Sequence, residues 1–320
     1  VRDDEPVPWI ARPAQVDHHQ GVPAERVDRL GASAISSQEV PVPARLIDGS
    51  ALAAATLQRI AAEVKVGVDA GLRPPCIATV LVGGDPASHT YVRMKVRRAQ
   101  AAGLATRRVD LPATTTTERL LTTIQALSSD PEIDGILLQH PVPSQVDERA
   151  AFEAIAADKD VDGVTFASFA RMAEGSGGFS SATPGGILRL LAEYDVELAG
   201  IEAVVVGQGP ILGRPLSALL TAHGATVTAC HVLTKDLRSH VERAELLVAA
   251  VGHPGLIPGE WIRPGAVVVD AGYNHGTGDV DFEGAVQRAS LITPVPGGVG
   301  PMTIATLLDQ TVTAWRTHVS

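Results

Sequence analysis

Hydrophobic positions along this chain switch between helical spacing and short solid runs. From Ala51 to Ala70, Ala, Leu and Val recur at the spacing of one helix face, which predicts a helix. Ile77 to Val82 is then a short apolar run, a predicted strand, and Gly83-Gly84 ends it. A second helix is predicted from Pro86 to about Ala102, because Asp85 stands at the N-cap, Pro86 at the first helical position and Gly103 just past the end. Ile136-Leu137-Leu138 predicts another buried strand, stopped at Pro141-Val142-Pro143, where proline denies the ladder a donor. The alternation resumes downstream. Strands are predicted over Ala203–Val206, Ala225–Cys230, Leu246–Ala250 and Val267–Asp270, with helices over Gly213–His223 and Met302–His318. Strands alternating with helices predict an α/β protein with parallel strands, its second half laid out as a dinucleotide-binding unit.

Residues 1–43 break the pattern. They carry prolines at 6, 8, 13, 23, 41 and 43, many charges and no sustained periodicity, and so predict a flexible extension. Lacking a basic start followed by an apolar core, the extension does not read as a secretory signal. Order is expected to begin near Leu46-Ile47-Asp48-Gly49. The length of 320 residues suits two domains, and a hydrophobic share of 45% suffices for packed cores. No apolar run reaches the roughly 18 residues of a membrane span. The formal net charge of -10 argues against nonspecific nucleic-acid binding, which needs a basic footprint. Cys76 and Cys230 make no disulfide framework, and no CxxC or HExxH pattern marks a metal site. A reducing, cytoplasmic setting is expected.

Five segments hold candidate chemistry. Tyr91 and Lys95 lie four apart on the Pro86 helix and project from one face, so a ring can stack on a flat heterocycle while an ammonium reaches its reacting atom. The same pair also describes an amphipathic helix with a surface lysine. A Tyr-x-x-x-Lys pair occurs in short-chain dehydrogenases too, but there the glycine-rich nucleotide turn precedes it, whereas here the turn follows. Gln139 stands at the carboxyl end of a predicted strand, where open α/β sheets place ligands, and its amide can hold a lysine or a water. Asp158-Lys159-Asp160-Val161-Asp162-Gly163 is either a solvated turn or the source of a carboxylate for bidentate binding of N–H groups. Gly207-Gln208-Gly209-Pro210-Ile211-Leu212-Gly213 lies between a strand and a helix, where backbone amides can approach a pyrophosphate, although its spacing is not the standard fingerprint. Finally, Pro294-Val295-Pro296-Gly297-Gly298-Val299-Gly300-Pro301 reads as a rigid loop before a helix, either an interdomain turn or a preformed backbone wall beside a bound ring.

Together, in this order, these segments resemble the bifunctional methylenetetrahydrofolate dehydrogenase/cyclohydrolase family. The resemblance runs from about Leu46 to Ala314. Tyr91-x-x-x-Lys95, Lys159-Asp-Val-Asp-Gly163, Gly272 with Gly278-Asp279-Val280, and the Pro294-to-Thr303 loop carry it most specifically. It implies two domains around a cleft: residues 44–183, completed by the helix over 302–320, on the folate side, and a Rossmann-like NAD(P)-binding domain over 184–301. It further implies oxidation of 5,10-methylenetetrahydrofolate to the methenyl form, hydrolysis of that form to 10-formyltetrahydrofolate, and a homodimer. The residues it places at the folate are Tyr91, Lys95, Leu138, Gln139, His140, Asp162, Pro296, Gly297, Gly300 and Pro301. Lys95 is implied as the main catalytic group, Gln139 as its partner, Tyr91 as a stacking ring and Asp162 as the pterin holder. Gly207, Gln208, Gly209, Gly213, His231, Val232 and Tyr273 are placed at the cofactor. A lysine there can shuttle a proton only if its pKa falls toward neutrality, and a cationic intermediate beside it would push it that way.

Several positions depart from the family pattern. Gln208 and Gly209 replace an arginine and a serine, Val232 and Leu233 replace small polar or basic residues, Ser181-Ala182-Thr183-Pro184 stands for Pro-Cys-Thr-Pro, Ser168-Phe169-Ala170 stands for Asn-x-Gly, and His140 replaces leucine. A site for NAD places an acidic residue about 20 residues past the glycine turn. Here Cys230-His231-Val232-Leu233-Thr234 offers none, and His231, Lys235 and Arg238 are near in sequence, so NADP is expected over NAD. Two readings compete with the bifunctional enzyme: a dehydrogenase with weak or no cyclohydrolase activity, and a noncatalytic folate-binding relative.

Overall fold

The computed structural model describes residues 43–319, so the extension expected over 1–43 lies, apart from Pro43, outside the described residues. The described chain opens with a short strand, β1 (Arg45–Leu46), and a helix, α1 (Gly49–Asp69), capped by Asp48, whose carboxylate accepts from the Ala51 N–H at 2.9 Å. Next come β2 (Cys76–Val82), α2 (Pro86–Ala101), β3 (Ala105–Leu111), α3 (Thr117–Ser129) and β4 (Gly135–Leu138). They build a three-stranded parallel sheet in the order β3-β2-β4, joined by its two crossover helices. The central strand β2 is buried along its whole length, which explains its mostly apolar sequence; Thr79 is its one polar side chain.

α2 forms where its signals put it. Asp85 accepts from the Ser88 N–H at 2.8 Å, and Pro86 occupies the first position. β3 and α3 were not predicted. β3 is an edge strand of half-buried and exposed residues, with Arg107 and Arg108 turned to solvent, so no apolar run marks it. α3 buries Leu120, Ile124 and Leu127, a helical spacing that was present in the sequence.

After α4 (Glu148–Glu153), α5 (Phe166–Glu174) and α6 (Ala182–Glu193), the chain builds a second parallel sheet. Its elements are β5 (Glu202–Val206), α7 (Gly213–Ala222), β6 (Thr226–Cys230), α8 (Leu237–Val241), β7 (Leu246–Ala249), β8 (Val267–Asp270), α9 (Phe282–Ala285) and β9 (Leu291–Ile292). With β1 added at one edge, the order is β1-β9-β8-β7-β5-β6. The chain runs outward from β5 to β6 and then returns to the other side of β5 as β7. The order therefore reverses between β5 and β7, and the crevice beyond those strand ends is where such sheets bind ligands. The first sheet has the same reversal between β2 and β4.

The last helix, α10 (Val299–Val319), begins three residues before the expected Met302, so Gly300 and Pro301 belong to its first turn rather than to the preceding loop. α10 packs on α1 and α6, and also on α2, β2 and β4. Polar anchors fix it there: the Trp315 indole donates to Arg73 O at 2.9 Å, and the Gln310 amide to Val161 O at 2.8 Å. Among the described residues, no helix is long and apolar enough to cross a membrane.

Candidate active site

Lys95 owes its position to helix geometry. Val92, Lys95 and Ala99 form the buried stripe of α2, so the lysine is carried inward with apolar neighbours and the residue is only 6% exposed. Gln139 follows directly on β4, where its N–H donates to Val80 O at 2.8 Å and extends the ladder by one residue. Its side-chain oxygen accepts from Lys95 Nζ at 3.4 Å, while its Nε2 donates to His140 O at 2.7 Å. The second bond fixes which end of the amide faces the lysine. Lys95 Nζ also lies 4.6 Å from the centroid of the Tyr91 ring. The structure thus brings Tyr91, Lys95 and Gln139 together.

Electrostatics tie Asp162 to the same group. Burial pushes the Lys95 ammonium below the ordinary lysine range, and the charge of Asp162 opposes that fall. The Tyr91 phenol is pushed up to about 12, by burial first and by Asp162 second, and stays protonated. Burial by itself favours a neutral amine, so the depression argued from a cationic intermediate needs no bound substrate.

The turn that carries Asp162 is not solvated. Lys159 and Asp160 are buried and Asp162 is half-buried; only Asp158 is exposed, and it lies 3.3 Å from His318 Nε2. The Asp160 carboxylate accepts from the Val164 and Thr165 N–H groups and from the Ser168 hydroxyl, the last at 2.6 Å. The Lys159 ammonium donates to Asp130 O at 2.7 Å. With Val161 O held by Gln310 and Asp162 O accepting from the Ala182 N–H, the backbone on both sides of the Asp162 carboxylate is fixed. Asp160 was missed as a positioning residue because two of its three partners are backbone N–H groups that sequence does not single out.

Leu138 is buried as the last residue of β4, and the half-buried His140 ring packs edge-on against Phe152 at 6.2 Å. The His140–Pro141 and Val295–Pro296 peptides are cis. Pro296 and Gly297 lie in the loop from β9 to α10, and Gly297 O accepts from the Ser50 N–H at 2.9 Å, which fastens this wall to the start of α1. Among the described residues no hydrogen bond joins the wall to Lys95; they share the α10 scaffold.

At the end of β5 the glycine turn is built by close approach. A Cβ on Gly207 would stand 2.3 Å from Ala250 O, and one on Gly213 would stand 1.8 Å from Gly207 O. At Gly209, by contrast, a Cβ would meet nothing within 4 Å, so the backbone there faces open space. The first turn of α7 has no side-chain cap; its Arg214 and Leu216 N–H groups donate to Gly209 O and Leu212 O, and Pro215 has no N–H. The Gln208 amide turns back to Ser217 Oγ at 3.2 Å. Beyond β6, His231, Val232 and Lys235 are exposed, Val232 at 97%. His231 Nδ1 accepts from the Leu233 N–H at 3.1 Å, so the ring stabilises its own turn instead of packing on the sheet. Arg238 is committed to Glu242 at 2.6 Å, which leaves Lys235 as the cationic candidate of the three, with the His231 ring offering its Nε2 side as a neutral group. Tyr273 is exposed on the loop after β8.

Comparison with known proteins agrees across both sheets. A family model described as the tetrahydrofolate dehydrogenase/cyclohydrolase catalytic domain matches residues 47–162, and one for the NAD(P)-binding domain of the same family matches 181–319. "Bifunctional protein FolD 1" of Salinispora arenicola is 60% identical over 276 residues, covering 86% of this chain and 99% of that protein. The bifunctional methylenetetrahydrofolate dehydrogenase/cyclohydrolase of Campylobacter jejuni superposes with a TM-score of 0.83 at 38% identity, covering 85% of this chain and 99% of the other. The Trypanosoma brucei methylenetetrahydrofolate dehydrogenase-cyclohydrolase, solved with NADP and an inhibitor, gives 0.83 at 35% identity, with 86% and 98% covered.

Proposed function

The chain belongs to the tetrahydrofolate dehydrogenase/cyclohydrolase family, and from that premise we propose that it oxidises 5,10-methylenetetrahydrofolate to the methenyl form with NADP and hydrolyses the methenyl form to 10-formyltetrahydrofolate. The observation that carries this reading is Lys95: a buried amine with a lowered pKa, oriented by Gln139 and set against the Tyr91 ring within reach of the Asp162 charge. A neutral amine in that setting takes a proton from the water that adds to the methenyl carbon and returns it to the ring nitrogen that leaves as the ring opens. Gln139 keeps the amine aimed. Tyr91 offers a ring face for stacking, and Asp162 would accept the amino and ring N–H groups of the pterin in charge-assisted hydrogen bonds. Leu138, His140, Pro296, Gly297, Gly300 and Pro301 would line the rest of the folate pocket.

NADP, when bound, supplies the hydride acceptor. The glycine turn would hold its pyrophosphate, since the backbone at Gly209 faces open space where a strand gives way to a helix. His231 and Lys235 would face the 2′-phosphate, and Val232 and Tyr273 would contact the cofactor by their apolar surfaces. Initial-rate assays test the reading: purified protein should form NADPH from methylenetetrahydrofolate and should bleach the methenyl chromophore when given that form alone. Absence of both activities refutes it.

The same reading assigns residues 44–183 with 302–320 to the folate side and 184–301 to the cofactor side. It also assigns a cytoplasmic homodimer. Light scattering should then give twice the chain mass of 33.3 kDa, and a monomer at assay concentration would overturn that assignment.

A further inference from the structure

Two buried carboxylates at the carboxyl end of the interior strand β8 and in the loop beyond it take no part in this chemistry. Asp279, 1% exposed, accepts from the Val251 N–H at 2.6 Å and the Gly252 N–H at 3.0 Å, and so holds the loop that follows β7. Asp270 ends β8 at 4% exposed and accepts from the N–H groups of Gly272, Asp279 and Val280 at 2.9 to 3.0 Å. The backbone N–H of Asp270 in turn donates to the Thr293 hydroxyl at 2.7 Å, one residue before the loop that runs to Pro296 and Gly297. Chain wraps closely around both acids. A Cβ on Gly272 would stand 2.2 Å from the Asp279 carboxylate, and one on Gly278 would stand 2.0 Å from that of Asp270.

These bonds connect the two halves of the cleft. Val251 lies against the glycine turn, its Cγ2 3.2 Å from where a Gly207 Cβ would be. With the pyrophosphate at that turn, the ring end of a dinucleotide extends over the β7 and β8 strand ends. The Val251-Gly252 loop is therefore the floor under the reacting ring, and the segment after Thr293 is the wall beside the folate. Hydride transfer needs donor and acceptor carbons in register, and a displacement of about 1 Å can cost about a hundredfold in rate.

We propose that Asp279 is a positioning residue for hydride transfer: it fixes the floor under the cofactor ring, and the Asp270 carboxylate holds Asp279 in place through the Asp279 N–H. The inference rests on the dehydrogenase reading above. Asp279 touches only the cofactor side, so its loss should separate the two activities. In Asp279→Ala, kcat for NADPH formation should fall about ten- to a hundredfold. The KM for NADP should change little, and hydrolysis of methenyltetrahydrofolate without cofactor should stay within about twofold. Asp279→Asn keeps an acceptor for the two N–H groups and should fall between Ala and wild type. Hydrogen–deuterium exchange of the cofactor-free protein gives a readout independent of turnover: peptides covering 250–255 should lose protection in Asp279→Ala while those covering α2 keep it. Loss of both activities together, or of neither, in these variants overturns the proposal. A wild-type protein with neither activity would overturn the functional reading instead.

Discussion

Replacing Lys95 with methionine tests the catalytic assignment with little structural disturbance. Methionine has nearly the length of lysine, and the site is already apolar on the α2 side, with Val92 and Ala99 buried in the same stripe. The variant discards a 3.4 Å hydrogen bond to Gln139 and an ammonium whose charge burial already disfavours. Folding stability should therefore hold or rise slightly, and the melting temperature should not fall. Hydrolysis loses its proton carrier, which costs about 10²- to 10⁴-fold, or roughly 3–5 kcal/mol of barrier at about 1.36 kcal/mol per tenfold. Hydride transfer moves no proton through Lys95 and should retain a measurable rate. Bleaching of methenyltetrahydrofolate measures the first activity, NADPH formation the second, and thermal denaturation the fold. A variant that bleaches the methenyl form at the wild-type rate would remove Lys95 from the mechanism.

Other substitutions probe other parts of the account. Asp162→Ala removes charge-assisted hydrogen bonds of about 1.5–3 kcal/mol, so the KM for folate should rise about ten- to a hundredfold with little change for NADP; unchanged folate affinity would detach Asp162 from the pterin. NADP should be preferred over NAD by kcat/KM, and Lys235→Ala should narrow that preference; a preference for NAD that Lys235→Ala leaves untouched would contradict the cofactor assignment. Asp270 is pushed up from 3.8 to about 6 by burial, against the pull of three backbone N–H groups. Between those values the folded state holds a proton that the unfolded state releases, so this group's stabilisation is full below about pH 4 and is lost as pH rises through 6. The stability of Asp270→Asn relative to wild type should accordingly improve by about 3 kcal/mol from pH 4 to pH 7, and denaturant titrations showing a flat difference would contradict it.

Much of the frame was legible because central strands and capped helices write themselves locally. β2 and β4 are mostly apolar runs, and α2 carries its start and stop signals within three residues of each end. β3 escaped because an edge strand with Arg107 and Arg108 outward has no apolar signature. α6 was hidden for another reason. Pro184, Gly185 and Gly186 read as breakers, yet a Cβ on Gly186 would stand 3.2 Å from the Met302 backbone, so glycine there serves close packing against α10. At the site, Tyr91 and Lys95 could be paired from helical spacing, but Gln139 joins them only through the sheet order β3-β2-β4. Asp160, Asp270 and Asp279 were least visible as working groups. An aspartate that satisfies buried backbone N–H groups looks in sequence like any surface acid, and Asp279 finds its partners 27 and 28 residues away.

The central claim is that one protein performs oxidation and ring opening in succession. A single-turnover experiment tests it directly: enzyme in excess of methylenetetrahydrofolate is mixed with NADP, and NADPH, the methenyl chromophore and 10-formyltetrahydrofolate are followed together. The account predicts one NADPH per folate consumed, a methenyl signal that rises and then decays, and 10-formyltetrahydrofolate as the final product. No NADPH, or a methenyl form that accumulates and decays no faster than in buffer alone, would contradict it.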